Sequence, residues 1–141
     1  MPEFILDHGT HDAGLRFKAL DGFTQGYIEA LFFTDASDPD DGDLQDATVH
    51  DLAPDTWDAI AHDCKAFQEA NAELLAAAYD RDDYSPEQAG RDFWFTRNGR
   101  GVGFWDRAQL DAGKLGDKLS DACRHRGVDV YRGDDKLVHL S

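Results

Sequence analysis

The stretch over residues 54–80 constrains the fold most, because it is the longest run of regularly spaced apolar side chains in the sequence. These side chains recur at intervals of three and four residues, which is the period of an amphipathic α-helix. It opens on Pro54, and a proline in the first turn is a typical helix start. We therefore predict a long central helix with these inward positions: Trp57, Ile60, Ala61, Cys64, Phe67, Asn71, Leu74, Leu75, Ala78 and Tyr79.

Three shorter helices are predicted, one before the central helix and two after it. Apolar residues recur at helical intervals over residues 22–33 and again over residues 110–126, where Gly127 is a suitable C-cap. After the central helix, Ser85 is followed by a proline and, three residues on, by a glutamine, which is typical of a capped helix start. We predict that this third helix is short and runs only to Gly90.

Strands are predicted mainly in the last third of the chain. An Asn-Gly dipeptide separates two aromatic runs at residues 92–97 and 100–106, and this dipeptide is a strong short-range signal of a hairpin. Residues 128–131 and 136–140 are predicted to form a second, closing hairpin. The expected fold is α+β, with N-terminal helices packed on a C-terminal antiparallel sheet of about four strands.

The length of 141 residues fits one compact unit with its own core, so a single domain over residues 1–141 is expected. Within it we predict an extended arm (1–18), an acidic loop (34–53) and a β-rich hairpin region (90–141). A hydrophobic fraction of 41% with sixteen aromatic residues argues against disorder. No leader-like segment occurs and no apolar run approaches the roughly 20 residues of a membrane span, so a cytoplasmic protein without membrane contact is expected.

The formal net charge of −15 is the strongest global signal, and it is unevenly distributed. Residues 1–89 carry four basic and 21 acidic side chains, whereas residues 90–141 carry ten basic and eight acidic ones, giving −17 and +2. Such a field repels nucleic acid and attracts the basic grooves of proteins that bind nucleic acid. Plain solubility or adaptation to high salt is the alternative, because 24 of the 29 acidic residues are aspartate.

The segment over residues 34–51 holds seven aspartates and is predicted to be a loop, because a proline and a glycine interrupt it. A calcium loop of the helix-loop-helix type does not fit. Counting from Gly42, the first ligand positions would fall on Ser37, Pro39 and Asp41, and Thr48 would replace the bidentate glutamate. The loop is therefore either solvated or an anionic contact surface.

The candidate partner-binding residues are the acids of this loop and of the polar face of the central helix. Helix neighbours four residues apart lie about 5–6 Å from each other, so carboxylates there are spaced closely enough to imitate a phosphate backbone. The candidates are Asp38, Asp40, Asp41, Asp43, Asp46, Asp55, Asp58, Asp63, Glu69 and Glu73.

No catalytic, metal or cofactor site is predicted. His8 and His11 have the spacing of a metal pair, but no further cluster of Cys or His follows at a familiar interval. Cys64 and Cys123 lie within helical patterns and are predicted to be buried structural thiols. A histidine stands two positions from each cysteine, which on a helix points to a different face. We therefore predict that the chain is not an enzyme.

Four segments of the sequence carry a resemblance to a known group of proteins: FWFTRNG (93–99), GFWDR (103–107), LGD (115–117) and YRGDD (131–135). Together with the central helix they resemble a family of small phage-encoded and prophage-encoded proteins, mostly of unassigned function. This resemblance covers about two thirds of the chain. It implies a phage accessory protein made in the cytoplasm of a bacterial host, and it supplies no catalytic residues.

Three functional hypotheses follow. The first is an acidic inhibitor, or nucleic-acid mimic, that binds a basic host protein such as a nucleic-acid-binding defence enzyme. The second is a module for single-stranded nucleic acid that uses Trp94, Arg97, Arg100 and Trp105 of the predicted hairpin, since aromatic and arginine side chains together form stacking platforms. The alternative role for those aromatic residues is core packing. The third hypothesis is a structural, homo-oligomeric phage protein.

Overall fold

The computed structural model describes residues 8–33, 48–81, 83–98, 103–123, 130–135 and 137–140. The molecule is mostly helical, with a small antiparallel sheet at its C-terminal end. The elements are α1 (His8–Ala19), α2 (Gly22–Leu31), α3 (Pro54–Ala70), α4 (Ala72–Tyr79), α5 (Pro86–Arg97), α6 (Leu115–Ala122), β1 (Val130–Arg132) and β2 (Val138–Leu140). Short 3₁₀ turns occur at Val49–Asp51, Phe104–Asp106, Ala108–Leu110 and Ala112–Lys114. Among the described helices, none combines the length and apolar character that a membrane crossing needs.

Helix α5 lies at the centre of the core. Its buried residues, which include Phe93, Trp94 and Phe95, occupy nearly every side of the helix. Phe93 stacks on Phe67 of α3 with ring centroids 4.2 Å apart, and Phe23 of α2 packs beside both rings. Such aromatic contacts are each worth about 0.5–1.5 kcal/mol beyond the burial of their area. The core is therefore built from aromatic residues around α5.

The prediction of a hairpin over residues 92–106 is wrong. Residues 92–97 belong to α5, Phe104–Asp106 is a 3₁₀ turn, and Asn98 is the C-cap of α5. Polar and apolar residues are mixed around α5, with Asp92 and Arg97 buried beside the aromatic side chains, so no clear helical period is visible in the sequence. The aromatic run therefore looked like a strand although tertiary packing makes it a buried helix.

The closing hairpin is confirmed, with β1 and β2 as its two strands in the described residues. Val130 pairs with Leu140, and Arg132 pairs with Val138. The predicted sheet of about four strands is wrong, because the described residues form a sheet of two. The Val138 carbonyl oxygen accepts hydrogen bonds from the Ala53 N–H (3.1 Å) and the Thr56 hydroxyl (2.8 Å), which fixes the hairpin to the start of α3.

Helices α2 and α5 pack with their backbones in close contact. A Cβ added at Gly90 would overlap the Phe23 carbonyl oxygen, and a Cβ added at Gly26 would overlap the Glu87 carbonyl oxygen. Gly90 therefore lies inside α5, and the prediction that the third helix ends there is wrong. The predicted start is confirmed, since the Ser85 hydroxyl accepts from the Gln88 N–H at 3.2 Å.

The predicted helix over residues 22–33 is confirmed as α2, and Asp21 caps it. The Asp21 carboxylate accepts from the Thr24 N–H and from the Gln68 amide of α3, both at 3.0 Å. Partial burial raises the pKa of Asp21, but the hydrogen bonds from Thr24 and Gln68 outweigh it and leave this pKa below its ordinary value. One carboxylate thus both starts α2 and joins it to α3.

Three other boundaries differ from the prediction. The part of the expected arm from His8 onward is helix α1, and residues 1–7 lie outside the described residues. The central helix is two helices, because Asn71 leaves the helical conformation and its side chain donates to the Phe67 carbonyl oxygen at 3.0 Å. The last helix begins at Leu115 rather than Leu110, after Gly113 and Lys114 with φ of 75° and 57°.

Candidate partner-binding surface

The outer face of α3 and α4 exposes four of the predicted acids. The inward face of α3 buries Trp57, Ile60 and Phe67, which turns the polar side of the helix to solvent. The Asp55 and Asp58 side chains are 82% and 79% exposed. Glu69 near the end of α3 and Glu73 in the first turn of α4 are also exposed. These carboxylates are accessible to a partner.

Asp63 differs from these four acids because it faces Arg97 of α5. Its carboxylate oxygen lies 3.1 Å from the Arg97 guanidinium, which also donates to the Tyr27 hydroxyl at 3.0 Å and lies over the Phe93 ring. Burial raises the pKa of Tyr27, so its phenol stays neutral and can accept this hydrogen bond. Asp63 therefore forms an ion pair between α3 and α5, and at 33% its side chain is less exposed than those of Asp55 and Asp58.

The predicted loop acids lie outside the described residues. They are Asp38, Asp40, Asp41, Asp43 and Asp46, and Gly42 of the rejected calcium loop is also outside. Within the described parts of the chain, no group of three Asp, Glu, His or Cys side chains could hold a metal ion. His8 and His11 both fall in α1.

Four arginines of the described residues pair with carboxylates. Arg91 pairs with Glu29 at 2.9 Å, and Arg107 with Asp92 at 2.7 Å. In α1, Arg16 pairs with Asp58 of α3 at 3.0 Å, and its guanidinium lies over the Trp57 ring. The ten basic residues in the last third of the sequence had suggested a more neutral surface there. Of these ten, Arg91, Arg97 and Arg107 pair with carboxylates and Lys114 and Lys118 are exposed, while the side chains of the other five lie outside what the structure describes.

Exposed acids outnumber exposed lysine and arginine side chains in the described part of the chain. Fourteen acidic side chains are exposed, against five exposed lysine and arginine side chains, counted over the residues whose burial the structure describes. The exposed acids are Asp21, Glu29, Asp55, Asp58, Glu69, Glu73, Asp80, Asp83, Asp106, Asp111, Asp117, Asp121, Asp134 and Asp135. The exposed cations are Arg16, Lys18, Lys65, Lys114 and Lys118.

The aromatic platform predicted for nucleic acid is not formed by the described residues. Trp94 is fully buried and meets Tyr27 edge to face at 5.2 Å. The Arg97 side chain is only 7% exposed, whereas Trp105 is 49% exposed; Arg100 lies outside the described residues. The alternative of core packing is therefore correct for Trp94. Trp105 is the exposed tryptophan of the predicted set, and the buried Trp94 cannot form a stacking surface with it.

Both cysteines are buried, and neither forms a disulfide. Burial raises the pKa of the Cys64 thiol well above its ordinary value, which disfavours the reactive thiolate. His62 is exposed while Cys64 faces the core, as expected for two residues two positions apart on a helix. The prediction that these thiols are structural agrees with this placement.

Sequence analysis missed a buried carboxylate at the end of the core. Asp92 is 0% exposed, and its oxygens accept from the Tyr84 hydroxyl at 2.8 Å, the Gln88 amide at 3.1 Å and the Arg107 guanidinium at 2.7–3.1 Å. The hydrogen bond to Asp92 raises the pKa of Arg107, and burial raises the pKa of Tyr84. An acid inside an aromatic run was the signal for this network, but its partners lie eight and fifteen residues away.

An open groove lies between the C-terminal end of α2 and the middle of α5. It has a volume of about 450 Å³ and is lined by Glu29, Ala30, Phe33, Arg91 and Phe95. Ala30 and Phe95 are buried in its floor, and Phe33 is 72% exposed beside it. This groove is another surface that a partner could contact.

No family model, curated protein or solved structure matches this chain. The resemblance to small phage-encoded proteins therefore stays a prediction from the four sequence segments.

Proposed function

We propose that this chain acts by binding, and that its partner is a basic protein that normally binds nucleic acid. The observation that carries the proposal is the excess of exposed acids: fourteen against five exposed lysine and arginine side chains among the described residues. The chain is an inhibitor in this proposal, because an acidic surface seated on a nucleic-acid-binding groove excludes the nucleic acid.

Long-range electrostatics support this class of partner. A protein of net charge −15 repels phosphate backbones and attracts cationic clefts, which raises the rate of association with basic proteins. Charges beyond about 10 Å are screened at 0.1 M salt, so the attraction must weaken steeply as salt rises. Direct binding of nucleic acid is disfavoured because the net negative charge repels its phosphates.

The origin proposed for the chain is a phage or prophage, and the proposed partner is a defence enzyme of the bacterial host. This part rests on the four sequence segments that resemble small phage proteins, together with the acidic surface. In this proposal the chain works in the host cytoplasm, needs no cofactor and performs no catalysis.

The test is capture of host proteins on the immobilised chain, followed by washes of rising salt. We expect a nucleic-acid-binding protein to be retained at low salt and released at high salt. Retention that does not change with salt would contradict an electrostatic interface, and recovery of nucleic acid alone would favour the nucleic-acid module.

Neutralising the outer face of α3 and α4 should weaken this capture. The variant combines Asp55→Asn, Asp58→Asn, Glu69→Gln and Glu73→Gln, which changes no buried side chain. We expect the affinity for the captured protein to fall about tenfold or more and to depend less on salt, because exposed interface charges act mainly through long-range attraction. Titration of the purified partner at two salt concentrations measures both effects.

The matched control removes the same charge elsewhere. It combines Asp106→Asn, Asp111→Asn, Asp117→Asn and Asp134→Asn, all exposed and all after α5. We expect a smaller loss of affinity from this control. Equal losses in the two variants would mean that only total charge matters, and no loss in either would eliminate the acidic surface as the binding site.

A further inference from the structure

We propose that the groove between α2 and α5 is the docking site for a bulky apolar side chain of the same partner, carried on a segment rich in lysine and arginine. This inference rests on the proposed function and adds to it the place where an apolar anchor enters. The occupant is a basic peptide segment, not a second copy of this chain.

The groove has the composition of an anchor pocket. Its floor is apolar, with Ala30 and Phe95 buried, while Glu29 and Arg91 provide the polar groups of its rim. Small binding pockets in proteins are mostly apolar with a few polar groups that orient the ligand, and about 450 Å³ holds one large side chain with room to spare.

Phe33 gives the groove an exposed aromatic wall. It follows α2 directly and is 72% exposed, the highest value among the large apolar side chains of the described residues. A single exposed phenylalanine is unremarkable by itself. Beside a concave apolar floor, however, it supplies the area that an inserted side chain would cover, and such central apolar contacts carry most of the energy of protein interfaces.

Charge complementarity selects a basic segment as the occupant. The rim carboxylate of Glu29 is half-exposed and forms its ion pair with Arg91 at 2.9 Å, so it is already held at the mouth of the groove. Any partner must approach a molecule of net charge −15, and only a cationic one gains from that field. The apolar floor of the groove and the negative charge of the molecule together favour an apolar residue flanked by lysine or arginine.

The test uses two fluorescein-labelled synthetic peptides and the full chain. Both peptides carry basic residues at each end; one has a central tryptophan flanked by glycines, and the other has alanine in its place. Fluorescence anisotropy at low salt should show the tryptophan peptide binding about tenfold more tightly, because burial of a large apolar side chain is worth at least that factor.

Phe33→Ala is the deciding variant. Phe33 is mostly exposed, so its removal should leave the unfolding midpoint unchanged while abolishing the preference for the tryptophan peptide. Binding of the alanine peptide and its salt dependence should stay as in the wild type. Leu15→Ala, at a 52% exposed position on α1, is the matched control and should keep the preference.

The outcomes separate this inference from the proposed function. Equal binding of the two peptides with clear salt dependence would overturn the groove and leave the acidic surface intact. Binding of neither peptide would count against the acidic surface itself. Concentration-dependent self-association that Phe33→Ala removes, measured by sedimentation velocity, would show that a second copy occupies the groove and would also overturn the inference.

Discussion

Gly90→Ala is expected to lower the free energy of unfolding by about 2–4 kcal/mol. In an open helix the same substitution would stabilise, since alanine is favoured over glycine by about 1 kcal/mol. At Gly90 the new methyl group meets the backbone of Phe23 and Tyr27, which cannot move aside as a flexible side chain could. Relief requires α2 and α5 to separate, and this would loosen the aromatic contacts of Phe93 with Phe23 and Tyr27.

Gly14→Ala is the matched control for this prediction. Gly14 lies inside α1, and no atom lies within 4 Å of the position where its Cβ would be. We expect Gly14→Ala to stabilise the protein by about 0.5–1 kcal/mol, with both glycine variants and the wild type compared by urea titration. If Gly90→Ala were equally stabilising, the close contact between α2 and α5 would be disproved.

Asp92→Ala should be as damaging, with an expected loss of about 3–5 kcal/mol. Asp92 is fully buried, and its removal leaves the Tyr84 hydroxyl, the Gln88 amide and the Arg107 guanidinium without their shared acceptor. Burial and the neighbouring carboxylate both raise the pKa of Tyr84, so its hydroxyl is protonated and donates. A buried donor left without an acceptor costs more than the intact hydrogen bond contributes.

Two further variants keep the Asp92 prediction testable if the alanine variant does not fold. Asp92→Asn retains the shape and one acceptor, so we expect a smaller loss of about 1–3 kcal/mol. Arg91→Gln breaks the more exposed ion pair with Glu29 and should cost less than about 1 kcal/mol. Losses for Asp92→Asn no larger than for Arg91→Gln would contradict a structural role for the buried network.

Elements with a polar face and a local start signal could be predicted from the sequence. Helix α2 shows a regular apolar period, and α5 begins where Ser85 and Pro86 indicate. The closing hairpin was also recognisable from its β-prone residues around a turn. These signals are local, so they survive in the final structure.

The rest of α5 depends on contacts that no local pattern encodes. Its residues are packed by α2, α3 and the segment around Phe104, and the buried polar residues Asp92 and Arg97 interrupt the apolar period that would reveal the helix. Gly90 looked like a helix end although its role is to admit the backbone of α2. A glycine does not mark the end of a helix where its role is to let two helix backbones pack closely.

The acidic character of the molecule was predictable, but its distribution was not. A count of charges assigned +2 to residues 90–141, yet Arg91 and Arg107 pair with carboxylates, as does Arg97 with Asp63 of α3. Pairing partners up to 62 residues apart in sequence cannot be found from a single chain's spacing. The outer face of α3 and α4 is the part of the predicted site whose acids are exposed in the described residues.

The most direct measurement of the central claim is a competition between this chain and duplex DNA for the captured basic protein. With labelled DNA bound to that protein, added chain should displace the DNA, and the α3–α4 neutralised variant should do so about tenfold less effectively. We predict that no complex contains all three components. A stable ternary complex of the basic protein, DNA and this chain would contradict the claim that the acidic surface occupies a nucleic-acid-binding groove.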